Sequence, residues 1–351
     1  MTSDSVSVVV PCFKQAEYLP EAVQSVVEQT HRRWEIVIVD DGSPDATAEV
    51  ARRLGSEHPE CTIRLIRKPN GGLADARNRG IEAAVGPWIL PLDADDRLAP
   101  ECLEQLLAAA AEPGVNLVCP AKQEFGTSQT VVRYPPFDAE RLRQENLYHC
   151  SCLFPKSLWQ AAGGYEPTLP FGLEDWDFWL RCSAVGLCAR VLAEPLFLYR
   201  RTEGASMIDR LAPRVGLVEA MLRTLHPAQF DPRQLLTLHA LIGISDDETL
   251  AEISRKIERF PDRHPPYLWR GLIYKRRKSL DLAYADFETG ASLASEGDWQ
   301  AAWHLFETAM QQRRHADVQR ILPQLLEQHA YLPWVKDVSG AFGAAKSRSP
   351  E

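Results

Sequence analysis

"WEIVIVDDGS", residues 34–43, holds the pattern on which the fold turns. Ile36 to Val39 form an aliphatic run that stops at two carboxylates, Asp40 and Asp41, followed by a glycine and a serine. A half-buried strand would alternate apolar and polar side chains. This one does not, so both of its faces must be covered. "SVSVVVP" (5–11), "TIRLI" (62–66) and "WILPL" (88–92) repeat the signal. Helical faces lie between them: Leu19, Ala22, Val23, Val26 and Val27 recur at helical spacing, and "LADARNRGIEAAVG" (73–86) reads as a second helix. Ser43 is a good N-cap, with Pro44 in the first helical position. Such strands, separated by helices, specify an α/β chain with a mostly parallel central sheet.

In open parallel sheets ligands bind beyond the carboxyl ends of the strands. Four clusters sit there: "PCFKQ" after the first strand, "DDGS" after the second, "RKPNGG" after the third and "DADD" (93–96) after the fourth. Asp93, Asp95 and Asp96 crowd three carboxylates into four residues. Each resists ionising beside the others unless a cation sits among them. A solvated turn leading into a helix at Pro100 would use the same residue types. Four clusters facing one crevice favour a binding site.

The remaining bounds are broad. The 351 residues suffice for two domains, and the net charge of −9 without a long basic run argues against a nucleic-acid partner. No apolar run approaches the roughly 20 residues needed to span a bilayer, and the start lacks a signal-like segment. Eight scattered cysteines without CxxC fit reduced thiols in a cytoplasm, and "HCSC", with Cys150 and Cys152, reads as an accident rather than a metal site. After residue 121 strands and short helices mix. "FGLEDWDFWLRCSAVG" forms a helix whose first turn carries Glu174, Asp175 and Asp177, and "ARVLAEPLFLYRR" reads as a last strand. Beyond residue 208 the chain turns almost wholly helical. Tyr267, Gly271, Tyr274, Ala283 and Phe287 fall at offsets resembling a tetratricopeptide helix pair. The division expected is 1–208 and 209–351, with a disordered tail, "GAAKSRSPE".

Taken in order, "SVVVPCFKQAEYLPEAVQSVVEQT", "WEIVIVDDGSPDAT", "NGGLADARNRGIEAAVGPWILPLDADD" and "GGYEPTLPFGLEDWDFWLR" closely resemble glycosyltransferase family 2, over about residues 5–206. The resemblance implies a GT-A fold, as in nucleotide-diphospho-sugar transferases, followed by a C-terminal all-α domain. It implies a nucleotide-sugar donor, with UDP favoured, a divalent Mn²⁺ or Mg²⁺, and transfer with inversion. Carried over by motif, Pro11 and Asp40 line the base, Asp41 shapes the turn or reaches the ribose, and Lys68 or Arg67 contacts base or phosphates. Asn70, Gly71 and Gly72 make a tight turn against the ligand. Asp95 is the first metal ligand, Asp93 contacts the ribose or shares the metal, and Asp96 stands behind them or caps a helix. Arg77 is a phosphate partner or a salt bridge within the acid cluster, and Asn78 is structural. Asp175 matches the family's base and Glu174 an acceptor ligand or orienter, leaving Asp177 as a helix-surface acid.

Elementary chemistry agrees with that assignment. A diphosphate leaving group gains charge as the glycosidic bond breaks, and a divalent cation held by carboxylates stabilises it. An ordinary aspartate, with a pKa of about 3.9, is a feeble base, but Phe171, Trp176 and Glu174 should raise it. Two departures stand out. "QxxRW" of the processive synthases is absent, favouring addition of a single sugar. Thr202 stands where many relatives carry a His, leaving Arg200, Arg201 or Ser206 to serve. A nucleotidyltransferase or a dehydrogenase would want a glycine-rich loop after the first strand, which "VVVPCFKQ" lacks. The alternative from another class is a degenerate transferase acting as a scaffold through its helical repeats. The partners expected are the donor, a hydroxyl acceptor on a glycan, lipid or protein, and a protein partner or second copy at the helical region. The location expected is cytoplasmic, with peripheral attachment at the inner membrane face as a variant.

Overall fold

The computed structural model describes residues 4–202 and 211–338. Ser206 and the tail from 343 lie outside the described residues. The chain divides into two compact units, one of Met1–Pro167 with Gly172–Ala212, the other of Thr168–Phe171 with Pro213–Glu351.

The first unit is built on strands β1 (Val6–Cys12), β2 (Trp34–Asp40), β3 (Ile63–Arg67) and β4 (Trp88–Pro91). Short strands follow: β5 (Arg97–Leu98), β6 (Leu117–Cys119), β7 (Lys122–Gly126), β8 (Val131–Val132), β9 (Phe154–Pro155), β10 (Ala189–Val191) and β11 (Phe197–Arg201). The central sheet runs β3-β2-β1-β4-β9, parallel except for β9. The chain moves outward from β1 to β3 and then returns to β1's other side with β4. The order therefore reverses between β1 and β4, which is where such sheets open a crevice.

Helices α1 (Leu19–Val27), α2 (Thr47–Glu57), α3 (Leu73–Ala83) and α4 (Cys102–Ala110) cover this sheet, followed by α5 (Ala139–Leu142), α6 (Lys156–Ala161) and α7 (Glu174–Ala184). Val8, Val10, Ile36, Ile38 and Leu90 share one core with Leu19, Val23 and Val26 of α1 and Leu103 and Leu106 of α4. On the opposite face α3 packs so close that a Cβ on Gly80 would stand 2.3 Å from Val9 Cγ1. Only glycine fits there. Glu35, the charge near the start of β2, is fully buried but accepts from Ser7 Oγ (2.6 Å), the Val85 N–H (2.7 Å) and Arg64 Nη2 (2.6 Å). A paired and hydrogen-bonded carboxylate is the kind a sheet core tolerates.

Three local expectations fail. Ser43 does not cap α2, because its Oγ accepts from the Lys14 N–H (3.1 Å); the helix starts at Thr47, whose N–H bonds Asp45 Oδ1 (3.2 Å). α4 starts at Cys102, past Pro100. "ARVLAEPLFLYRR" splits at Pro195 into β10, which pairs with β6, and β11, which pairs with β5 and β7.

Among its described residues the second unit is helical, with Val215–Thr224, Pro232–Gly243, Asp247–Arg259, Pro265–Arg276, Leu280–Leu293, Gln300–Gln311 and His315–His329. Pro265–Arg276 and Leu280–Leu293 form a hairpin in which Gly271 meets the Phe287 ring, 2.6 Å from where a Cβ would stand. No helix among the described residues is long and apolar enough to cross a membrane.

Candidate active site

The loop after β4 carries the acid cluster, and its three carboxylates have separate fates. Asp96 is buried and accepts the backbone N–H of Arg200 at 2.8 Å. Burial, and then the charges of Asp95 and Asp93, push its pKa well up. It is an internal strut. Asp93 reaches Arg77 Nη2 at 2.8 and 3.2 Å. Asp95 is pushed up by burial and by the neighbouring charge of Asp93. Carboxylates strained by like charge at a strand end provide the hard oxygen donors that a divalent cation takes. The residues present fit such an ion.

Arg77, on α3, is 1% exposed and forks across the site. Nη2 holds Asp93, and Nη1 holds Glu174 Oε1 at 2.6 Å. The guanidinium is thus committed to two acids rather than standing open toward a phosphate. Its planar fork suits two carboxylates at once, which a lysine could not match.

Glu174 and Asp175 open α7, and the preceding backbone is unusual. Phe171, Gly172 and Leu173 all have positive φ, at 66°, 128° and 65°. Two of the three are bulky non-glycine residues, so the turn carries strain of a kind that gathers at functional sites. α7 is anchored by Trp176 Nε1, which donates to Leu142 O (2.6 Å), and by Trp179 Nε1, which donates to Tyr148 O (3.2 Å). Asp175 is half-buried, and burial followed by the Glu174 charge raises its pKa to about 6. Asp177 is no surface acid: it is fully buried and takes Arg181 Nε at 2.8 Å, one turn on.

A cavity of about 320 Å³ brings these groups together, with Asp93, Glu174 and Asp175 facing Tyr134, His149 and Tyr199. The aromatic members were not legible in the sequence, since nothing local distinguishes them. Cys150 also lines the cavity, and its Sγ lies 3.7 Å from Asp93 Oδ2.

Pro11, Asp40, Asp41, Lys68, Asn70, Gly71 and Asp95 do not line that cavity. They belong to the ends of β1 to β4. Asp41 accepts from Gly71 N–H (2.9 Å) and Gly72 N–H (2.8 Å) and pairs with Lys68, which also holds Asp75 at 2.6 Å. Asp41 therefore shapes the Asn70–Gly72 turn. Asp40 Oδ1 is occupied by Ser43, while Oδ2 is buried without a hydrogen bond and has Arg67 Nε 3.1 Å away, off the bonding direction. A buried acceptor left open at a strand end matches an N–H of a base. Asn78 is structural, joining Trp159 Nε1 (3.0 Å) and both polar backbone atoms of Tyr165. Arg200 braces the acid loop through its N–H on Asp96 and its Nε on Asp95 O (2.8 Å), and Glu21 holds its far end at 2.7 Å.

Residues 7–153 match the description Glycosyl transferase family 2. A PGL/p-HBAD biosynthesis glycosyltransferase of Mycobacterium bovis is 33% identical over 214 residues, covering 59% of this chain and 80% of that one. The chain belongs to glycosyltransferase family 2. Chondroitin synthase of Pasteurella multocida is 30% identical over 186 residues, or 52% of this chain, but that stretch is only 19% of the synthase. Family 2 also accounts for the fold. S. aureus TarS 1–349 in complex with UDP-GlcNAc superposes with a TM-score of 0.54 at 18% identity, covering 80% of this chain and 90% of that one. A mannosyltransferase from Pyrobaculum calidifontis in complex with GDP-Man and Mn²⁺ covers 94% of this chain and 83% of that one, with a TM-score of 0.50 at 18% identity. The family 2 chain thus carries a GT-A architecture with an added helical region.

Proposed function

We propose that this glycosyltransferase moves one hexose from a nucleotide-sugar donor, UDP-linked by preference, to an acceptor hydroxyl, inverting the anomeric centre. The observation that carries the reading is the Arg77 fork, which ties the acid loop to the Glu174–Asp175 pair at one cavity wall. Pro11 and Asp40 Oδ2 take the base, and the Asp41-braced turn at Asn70 and Gly71, with Lys68, takes ribose and phosphates. Asp95 and Asp93 would hold Mn²⁺ or Mg²⁺, which supplies positive charge to the departing diphosphate.

The chain's own residues do the rest. Asp175, raised to about 6, is mostly ionised at neutral pH yet basic enough to take a hydroxyl proton as the sugar centre turns cationic. Glu174, held by Arg77, orients the acceptor. Tyr134 and Tyr199 give the cavity aromatic walls suited to a sugar ring. One base on one face implies direct displacement, so the product's configuration is opposite to the donor's. NMR of the product anomer tests this, and a retained configuration would overturn it.

The transferase part is taken as residues 1–208. Residues 209–351 are taken as a tetratricopeptide-like region that docks a partner protein or a second copy, and the Gly271–Phe287 hairpin supports that reading. All eight cysteines are free, which supports a reducing, cytoplasmic setting, peripheral to the membrane if the acceptor is lipid-linked.

A further inference from the structure

"HCSC", residues 149–152, has no part in sugar transfer as described, yet the fold supplies it with a third cysteine. Val118 and Leu153 face each other as an antiparallel bridge, exchanging backbone hydrogen bonds of 2.8 and 2.9 Å. Cys119, the last residue of β6, and Cys152 are the next pair along. That is a non-hydrogen-bonded position, where Cα atoms approach to about 4.5 Å and side chains share a face. The spacing lies within the range of about 4.4–6.8 Å that a disulfide accepts. Both cysteines are free and fully buried, and their sulfurs lie within 4.8 Å of each other and of a ring nitrogen of His149.

The same three residues look like a metal set, but the imidazole argues otherwise. Ser151 N–H can only donate, so His149 Nδ1, 3.1 Å away, must accept. The ring proton is then on Nε2, which points at Pro120 O at 3.1 Å. Neither nitrogen has a lone pair to give a metal. What remains is thiol chemistry between two unlike partners. Cys152 Sγ donates its proton to His149 O at 3.1 Å, whereas Cys119 Sγ has only the longer contact to Pro120 O at 3.6 Å. Cys152 is pushed well up by burial and by Cys119. The Cys119 proton is therefore the less firmly held of the two, which makes Cys119 the attacking sulfur and leaves Cys152 a thiol.

We propose that Cys119 and Cys152 are a redox-modification site, which takes a hydroperoxide as co-reactant and closes to a disulfide in the wall behind the cavity. The Cys119 thiolate attacks the terminal peroxide oxygen, the O–O bond breaks, and the alkoxide or hydroxide leaves to be protonated by water. Cys152 sulfur then attacks the Cys119 sulfenic acid. The S–S bond forms, the S–O bond breaks, and the Cys152 proton leaves with the hydroxide as water. Two thiols and ROOH become a disulfide, ROH and water. The crosslink fixes the segment that carries His149 and Cys150, both of which line the cavity.

The test uses the full chain, exposed to hydrogen peroxide, alkylated, digested and read by mass spectrometry. The expected product is a Cys119–Cys152 peptide pair that dithiothreitol reverses, lost in both Cys119→Ser and Cys152→Ser and kept in Cys150→Ser. Wild type alone already decides the matter if a buried variant folds poorly. Peroxide that oxidises other cysteines and leaves this pair as free thiols would overturn the proposal. So would protein that, as purified, carries stoichiometric zinc released by thiol alkylation, since that would make the trio a metal site.

Discussion

Replacing Asp175 with Asn removes a charge from the first turn of α7 while nearly preserving shape. The wild-type carboxyl titrates at about 6, raised by burial and then by Glu174. An unfolded aspartate titrates at about 3.9, and at about 1.36 kcal/mol per pH unit the ionised form costs the fold about 3 kcal/mol. Asp175 is half-exposed toward the cavity, and solvent screening reduces this to about 1–2 kcal/mol. Below about pH 4 the carboxyl is protonated in folded and unfolded chains alike, so Asn and Asp should match. Through the window from about pH 4 to 6 the native state keeps a proton that the unfolded chain has already lost. Wild type loses stability across that window and stays flat above it. Asp175→Asn should therefore gain stability between pH 4 and 6 and hold the gain at pH 7.5, a rise in Tm of roughly 2–8 °C for the transferase unit. Turnover should fall by about 10²–10⁴-fold with donor binding retained. Wild-type turnover should climb with pH up to about 6 and then level. Calorimetry at pH 4 and 7.5, paired with single-turnover kinetics, reads both effects. An equal Tm at pH 7.5, or near-normal turnover in the variant, would refute the placing of the base.

Further tests address the other elements. Asp95→Ala should leave the fold intact by circular dichroism while abolishing the stabilisation that Mn²⁺ with UDP gives in a thermal-shift assay. Arg77→Gln leaves Asp93 and Glu174 without their shared cation and should cost about 3 kcal/mol in urea unfolding, with Arg77→Lys recovering only part. Gly42→Ala places a side chain at φ +73° and a Cβ 2.8 Å from Asn70 N, so nucleotide affinity should fall at a stability cost of about 1–3 kcal/mol, by calorimetric titration and melting. Gly271→Ala should destabilise the helical unit by about 1–3 kcal/mol through the Phe287 clash and leave donor hydrolysis unchanged.

The central sheet was legible because burial on both faces writes itself locally: β1, β2 and β4 read apolar throughout, and the loops at their carboxyl ends had to face one way. The site was legible only as separate acidic motifs. Arg77 meets Glu174 97 positions away, and no periodicity encodes such a pairing. Asp177 looked exposed because a first-turn acid suits a helix dipole, and only the fold shows that Arg181 comes inside with it. The Ser43 cap failed because its hydroxyl is taken by the Lys14 N–H from the loop after β1, 29 positions away. "HCSC" looked idle because its partner, Cys119, sits a strand away.

The length of the Arg77 fork also has a consequence for how the protein is made. Arg77 and Asp93 leave the ribosome early, whereas Glu174 and the strained turn before it follow some eighty residues later than Asp93. Translation at about 5–20 residues per second makes that a delay of several seconds. During that interval the nascent sheet contains a guanidinium with half its partners missing. The Asp93 arm of the fork can close first and the Glu174 arm only once α7 has emerged, so the site is completed well after the strands that frame it.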